Sequence, residues 1–139
     1  MRPRVTVVTL GVADTLRSRA LYVDGLGWPV RYEGPGVVML DVEPGLVLSL
    51  WALDDMREEI GDVGEPALAP VTLAHNVADP AQVDRVIAAA LAAGARLVSP
   101  GTQREWGGYS GYVADPDGYR WEIAYNPGWP DLVPGVTGD

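Results

Sequence analysis

One histidine, His75, no cysteine and no lysine leave this chain few side chains that can do chemistry. The absence of Cys excludes disulfides, thiolate ligands and cysteine nucleophiles. All ten basic residues are Arg, so Schiff-base chemistry is excluded as well. A single imidazole cannot build a zinc site of two or three histidines from one chain. What remains is carboxylates, hydroxyls and aromatic rings. Two places stand out: Glu122, a carboxylate inside a strand-like run, and Trp106-Gly107-Gly108, where two glycines let backbone approach a ligand or a bulge closely.

The elements that must position these groups are set by composition and pattern. At 139 residues and 47% hydrophobic, the chain can bury one good core but is short for two ordinary domains. Its apolar runs are broken well before the roughly 18 residues a membrane span needs. This predicts a soluble, cytoplasmic protein with no membrane partner. The formal net charge of −9 opposes contact with a phosphate backbone, so nucleic acid is excluded as a partner.

An internal repeat organises the chain. Val12-Ala13-Asp14 recurs as Val77-Ala78-Asp79, each copy following an apolar stretch and preceding helical spacing. In the second copy Asp79 is the N-cap, Pro80 opens the helix and Gln82 reaches back as half of a capping box. Val83, Val86, Ile87, Ala90 and Leu91 form one apolar stripe, and Gly94 ends the helix. In the first copy Asp14 caps, Leu16, Ala20 and Val23 form the stripe, and Gly25 and Gly27 end it.

Three strand-like runs follow each helix: 30–33, 37–42 and 46–51, then 95–99, 109–114 and 119–126, with Asp115-Pro116-Asp117-Gly118 as the last hairpin turn. The pattern is βαβββ twice, an α+β fold. It predicts a single domain over 1–139: module 1 about 4–52, a linker about 53–69 with a short helix over 54–60, module 2 about 70–127, and a tail over 128–139. The acidic stretch Asp54–Glu65 reads as solvated surface.

This duplicated unit, with an Asp-Pro-Asp-Gly hairpin before a final strand carrying Glu, resembles the vicinal-oxygen-chelate superfamily, the glyoxalase/bleomycin-resistance/dioxygenase fold. The most specific stretch is Trp106 to Ile123, which is similar to a bacterial subgroup with a degenerate metal site. Leu10–Asp14 and Leu73–Val77 are similar to that subgroup too. The resemblance implies two modules forming one cupped mixed sheet with helices outside, a small-molecule cavity, and a homodimer. It also implies that the four positions holding a divalent metal in relatives are Val7, Ser49, Thr72 and Glu122. Only Glu122 is a good ligand, since Val has no donor atom and neutral hydroxyls bind Zn²⁺, Ni²⁺ or Fe²⁺ poorly. The expectation is therefore no metal and no cofactor.

With that frame, strand alternation turns Val7, Thr9, Ser49, Trp51, Thr72, Asn76 and Glu122 inward, and Trp106 either walls the pocket or covers a core edge or dimer seam. His75 falls on the helix side as a hydrogen-bonded structural residue, with the ligand role as its alternative. Tyr109, Tyr112, Trp121 and Tyr125 read as core, because a chain without Phe must use Tyr and Trp there. Glu122 has two readings: acid/base or counter-ion in an apolar cup, or a structural carboxylate paired with Arg120, with an Arg of the facing module, or with the Ser49 and Thr72 hydroxyls. The function that follows is metal-independent binding of a small organic molecule, neutral or cationic and aromatic. Its rivals are a lyase, isomerase or tailoring enzyme using Glu122, and a dimerisation or partner-binding domain.

Overall fold

The computed structural model describes residues 1–66 and 69–133; residues 67 and 68 of the expected linker and 134–139 of the expected tail lie outside it. Strand β1 (Val7–Val12) leads into α1 (Thr15–Arg19), which continues as a π-helical turn (Ala20–Gly25). Strands β2 (Val30–Gly34), β3 (Val37–Glu43) and β4 (Leu46–Ala52) follow. After α2 (Leu53–Ile60) the order repeats as β5 (Thr72–Asn76), α3 (Pro80–Ala92), β6 (Arg96–Gln103), β7 (Tyr109–Ala114) and β8 (Arg120–Tyr125). The chain divides into two compact units, Met1–Ala69 and Pro70–Asp139, breaking where the second repeat begins.

Each unit carries one four-stranded mixed sheet, ordered β1-β4-β3-β2 and β5-β8-β7-β6. In both, the first strand pairs in parallel with the last and the remaining pairs are antiparallel. Helix α1 packs on β3 and β4, and α3 on β6, β7 and β8, so the helices lie outside their sheets as the βαβββ pattern predicts. The duplication extends to register. Thr9, Ser49 and Met39 form one row across the first sheet, and Ala74, Glu122 and Tyr112 form the matching row across the second.

Alternation explains which face each helix covers. In the first unit Leu10, Val12, Leu48, Leu50, Val38 and Leu40 are buried on the α1 side. The helix itself differs from the expected stripe. Leu16 is 71% exposed, while Ser18, Leu21 and Tyr22 are buried. Leu16 sits in the capped first turn, where its own N–H bonds the Asp14 carboxylate at 2.9 Å. Ser18 can be buried because its hydroxyl donates to the Asp14 carbonyl at 3.3 Å, and Tyr22 then stacks at a tilt on Trp28, with centroids 5.4 Å apart.

Helix α3 follows its sequence closely. Asp79 accepts from the Gln82 N–H at 2.7 Å, the Gln82 side chain accepts from the Ala78 N–H at 3.3 Å, and Pro80 opens the first turn. Val83, Ile87 and Ala90 are its buried stripe. Gly94, at φ 112°, ends it.

Candidate functional site

The turn Asp115-Pro116-Asp117-Gly118 fixes the geometry of the second sheet. The Asp115 carboxylate, buried, accepts from the Asp117 and Tyr119 N–H groups at 2.9 Å each. The Asp115 N–H bonds the Tyr119 carbonyl at 2.9 Å, and Gly118 takes φ 89°. So pinned, β7 and β8 pair with Tyr112 opposite Glu122, Ala114 opposite Arg120 and Ser110 opposite Ala124. Directly opposed residues share a face. The other face belongs to α3: a Cβ on Gly111 would meet Ile87 Cδ1 at 2.6 Å, and Tyr109 donates to the Asp84 carboxylate at 3.0 and 3.3 Å. Tyr112 and Glu122 therefore lie on the face turned away from α3.

A polar cluster forms there. Burial first, then the Glu122 carboxylate, hold the Tyr112 phenol above its usual range, with the Arg104 charge acting the opposite way. Tyr112 thus stays neutral beside the Glu122 carboxylate. Beside them, Arg104 donates from Nε to Ser110 Oγ at 3.0 Å and from Nη2 to the Ser110 carbonyl at 3.0 Å. Its guanidinium carbon sits 5.9 Å from the centre of the Tyr112 ring. Ser110 is 1% exposed beneath it.

Tyr112 and Arg104 are the residues sequence reasoning missed, Tyr112 because it was read as core. Its neighbours Tyr109, Trp121 and Tyr125 do fall on the α3 side, in register with Val113 and with one another. The signal is present in the hairpin, since counting back in steps of two from Ala114, the residue before the Asp115 turn, puts Tyr112 on the Glu122 face. Arg120, the expected partner of Glu122, instead bonds the Gly118 carbonyl, and Thr72 Oγ1 donates to the Arg120 carbonyl at 3.2 Å.

The remaining candidates divide between the two sheets. In the first, Val7, Thr9, Ser49 and Trp51 share the face opposite to the α1 side; Val7 and Thr9 are exposed, Trp51 half-buried, and Ser49 1% exposed. Gly11 continues this face, where a Cβ would meet Leu53 Cδ1 at 2.8 Å and Met56 Sδ at 3.0 Å, so α2 covers its end. In the second sheet Thr72 and Asn76 share the Glu122 face. His75 pairs with Ile123 on the α3 side of the exposed strand β5. Trp106 stands at the β6–β7 hairpin tip, 54% exposed, its indole lying where a Gly108 side chain would be. Gly108 has no side chain because that ring takes its place.

The residues do not fit the divalent metal of the resembled fold. Val7 presents no lone pair, Thr72 Oγ1 is bonded to backbone, and His75 is on the opposite face from Glu122. Among the described residues no three His, Cys, Asp or Glu side chains gather as a metal-binding group.

Comparison with known proteins agrees with this fold. A model of the Glyoxalase/Bleomycin resistance protein/Dioxygenase superfamily matches residues 4–123. The chain is similar to a glyoxalase-related enzyme from Fulvimarina pelagi, at 36% identity and TM-score 0.82, covering 90% of this chain and 89% of that one. It is similar also to a glyoxalase/bleomycin resistance protein/dioxygenase from Nocardioides, at 27% identity and TM-score 0.78, covering 99% and 91%. A lactoylglutathione lyase from Agrobacterium tumefaciens shares the fold at 21% identity and TM-score 0.71, covering 91% and 96%. No protein of curated function matches the chain. With 120 of its residues spanned by the family model and one such relative above 30% identity, the chain belongs to the Glyoxalase/Bleomycin resistance protein/Dioxygenase superfamily.

Proposed function

We propose that this protein binds a small organic molecule without a metal, and that the ligand meets the face of the second sheet carrying Glu122 and Tyr112. The observation that carries this reading is the pairing of those two residues across β7 and β8, on the side α3 leaves uncovered. A carboxylate beside a neutral phenol keeps its lone pairs for a ligand donor, and the Tyr112 ring supplies an aromatic wall. Thr72 and Asn76 flank it on β5. Members of the superfamily commonly bind small molecules and dimerise, and the proposal includes a homodimer.

A second reading rests on the same pair. A carboxylate and a phenol kept protonated across from it are a base and an acid on one face, the groups a lyase- or isomerase-type proton transfer requires. Native mass spectrometry of the protein as purified tests the binding reading. A co-purified molecule that Glu122→Gln releases supports it, and one that stays bound to that variant contradicts the site. Chemical conversion of the released molecule by wild type but not by the variant would favour the enzymatic reading.

A further inference from the structure

We infer that the face of the second sheet is an amphoteric site, in which Arg104 takes the carboxylate of a small aromatic acid while Glu122 takes a donor or cationic group at its other end. This rests on the small-molecule reading above and names the class of ligand.

Arg104 differs from the arginines that pair with carboxylates and, unlike Arg120, whose guanidinium bonds the Gly118 carbonyl, it also lies over an aromatic ring. Arg19 pairs with Asp24 at 2.7 Å and Glu33 at 3.0 Å, Arg31 with Asp41 at 2.6 Å, and Arg57 with Glu65 at 2.8 Å. Carboxylates are plentiful in a chain of net charge −9. Yet Arg104, half-buried, has only neutral partners among the described residues: the Ser110 hydroxyl and carbonyl, and the face of the Tyr112 ring. Those contacts fix the guanidinium without neutralising it. A half-buried cation without an anion is costly to maintain unless an anion arrives.

Donor counting gives the shape of that anion. A guanidinium has five N–H groups, of which one on Nε and one on Nη2 are committed to Ser110. The two on Nη1 and one on Nη2 remain, and one from each nitrogen forms a single end-on fork that suits a planar carboxylate. Since Ser110 and Tyr112 already hold the side chain in place, little rotamer freedom is lost on binding. The Tyr112 ring lies between the two charges, with Arg104 on its face and Glu122 at its hydroxyl. An aromatic body placed along that ring would have its carboxylate at Arg104 and its other end at Glu122. The reverse orientation would set like charges together at both ends.

The test is an amide-resolved NMR titration of the full chain with three probes: benzoate, benzamidine and the zwitterion para-aminomethylbenzoate. The zwitterion is expected to bind tightest and to shift the amides of Gly108, Ser110 and Tyr112. Arg104→Gln is expected to weaken benzoate and the zwitterion by about tenfold or more, the scale of a charge-assisted hydrogen bond, and Arg104→Lys to weaken them less. Glu122→Gln should weaken the zwitterion and leave benzoate bound. The spectra of both Arg104 variants report directly whether they fold. Benzoate affinity unchanged in folded Arg104→Gln overturns the inference. If benzamidine still binds and depends on Glu122 in that case, the small-molecule reading survives. No response of these amides to any probe in the wild type overturns both.

Discussion

Tyr112 and Glu122 stand opposite each other on neighbouring strands, and the carboxylate charge helps hold the phenol in its neutral form. Their meeting is a consequence of the Asp115 turn between them: Asp115 accepts from the Asp117 and Tyr119 N–H groups, fixes the β7–β8 register, and thereby sets the face each side chain takes. In the first sheet the corresponding row is Met39 and Ser49, which carries no charge. The duplicated scaffold therefore holds its ionisable pair on one side only.

The Tyr112 phenol is held above the usual tyrosine range by burial, then by Glu122. A phenol raised in the folded state favours the protonated form. The stability it contributes is fully present below the ordinary tyrosine value of about 10 and is lost as pH rises through the folded value. NMR of labelled tyrosine rings should show Tyr112 titrating above the ordinary value, and Glu122→Gln should bring it down. A Tyr112 resonance that titrates at the ordinary value in the wild type would contradict the pairing.

Replacing Asp115 by Ala removes the acceptor of two backbone N–H groups in a buried turn. Denaturant unfolding should show a loss of about 2–4 kcal/mol, with Asp115→Asn milder because its amide oxygen still accepts. A loss for Asp115→Ala within about 0.5 kcal/mol, the range of an ordinary surface substitution, would mean the turn does not set the register.

Gly111 is where α3 approaches the sheet. A Cβ there would meet Ile87 Cδ1 at 2.6 Å, the Ser99 carbonyl at 2.8 Å and the Gly101 nitrogen at 2.9 Å. Two of those are backbone and cannot move aside cheaply. Gly111→Ala should destabilise by about 1–3 kcal/mol in the same unfolding measurement.

Elemental analysis of protein incubated with zinc, nickel or iron and then desalted should find none at stoichiometric level. The side chains at the family's metal positions are a valine without a donor atom, two neutral hydroxyls and a single carboxylate. One equivalent of retained metal that Glu122→Gln abolishes would contradict this.

The fold was legible because its local signals agree with one another. Asp79, Pro80, Gln82 and Gly94 frame α3, and the repeated Val-Ala-Asp sets each module's start. Glu122 and its sheet neighbours Thr72 and Asn76 were placed on one face by alternation, and the pairing shows them so. What the sequence obscured has physical reasons. Tyr112 looks like core by residue type, and only the register set by Asp115 distinguishes it from Tyr109. Arg104 leaves β6 before a loop, where no periodicity predicts direction, and its position depends on Ser110 six residues on. Leu16 was expected inside since it is apolar, whereas the buried position belongs to Ser18, a polar residue satisfied by its own helix.

The most direct test of the account is the affinity of wild type and Glu122→Gln for one cationic aromatic probe, benzamidine, by titration calorimetry. Gln keeps the shape, so the fold should be retained while the charge is lost. Binding is predicted to weaken by roughly 1.5–3 kcal/mol, the scale of a charge-assisted hydrogen bond. Equal affinity in the two proteins would mean that Glu122 is structural and that the ligand face lies elsewhere.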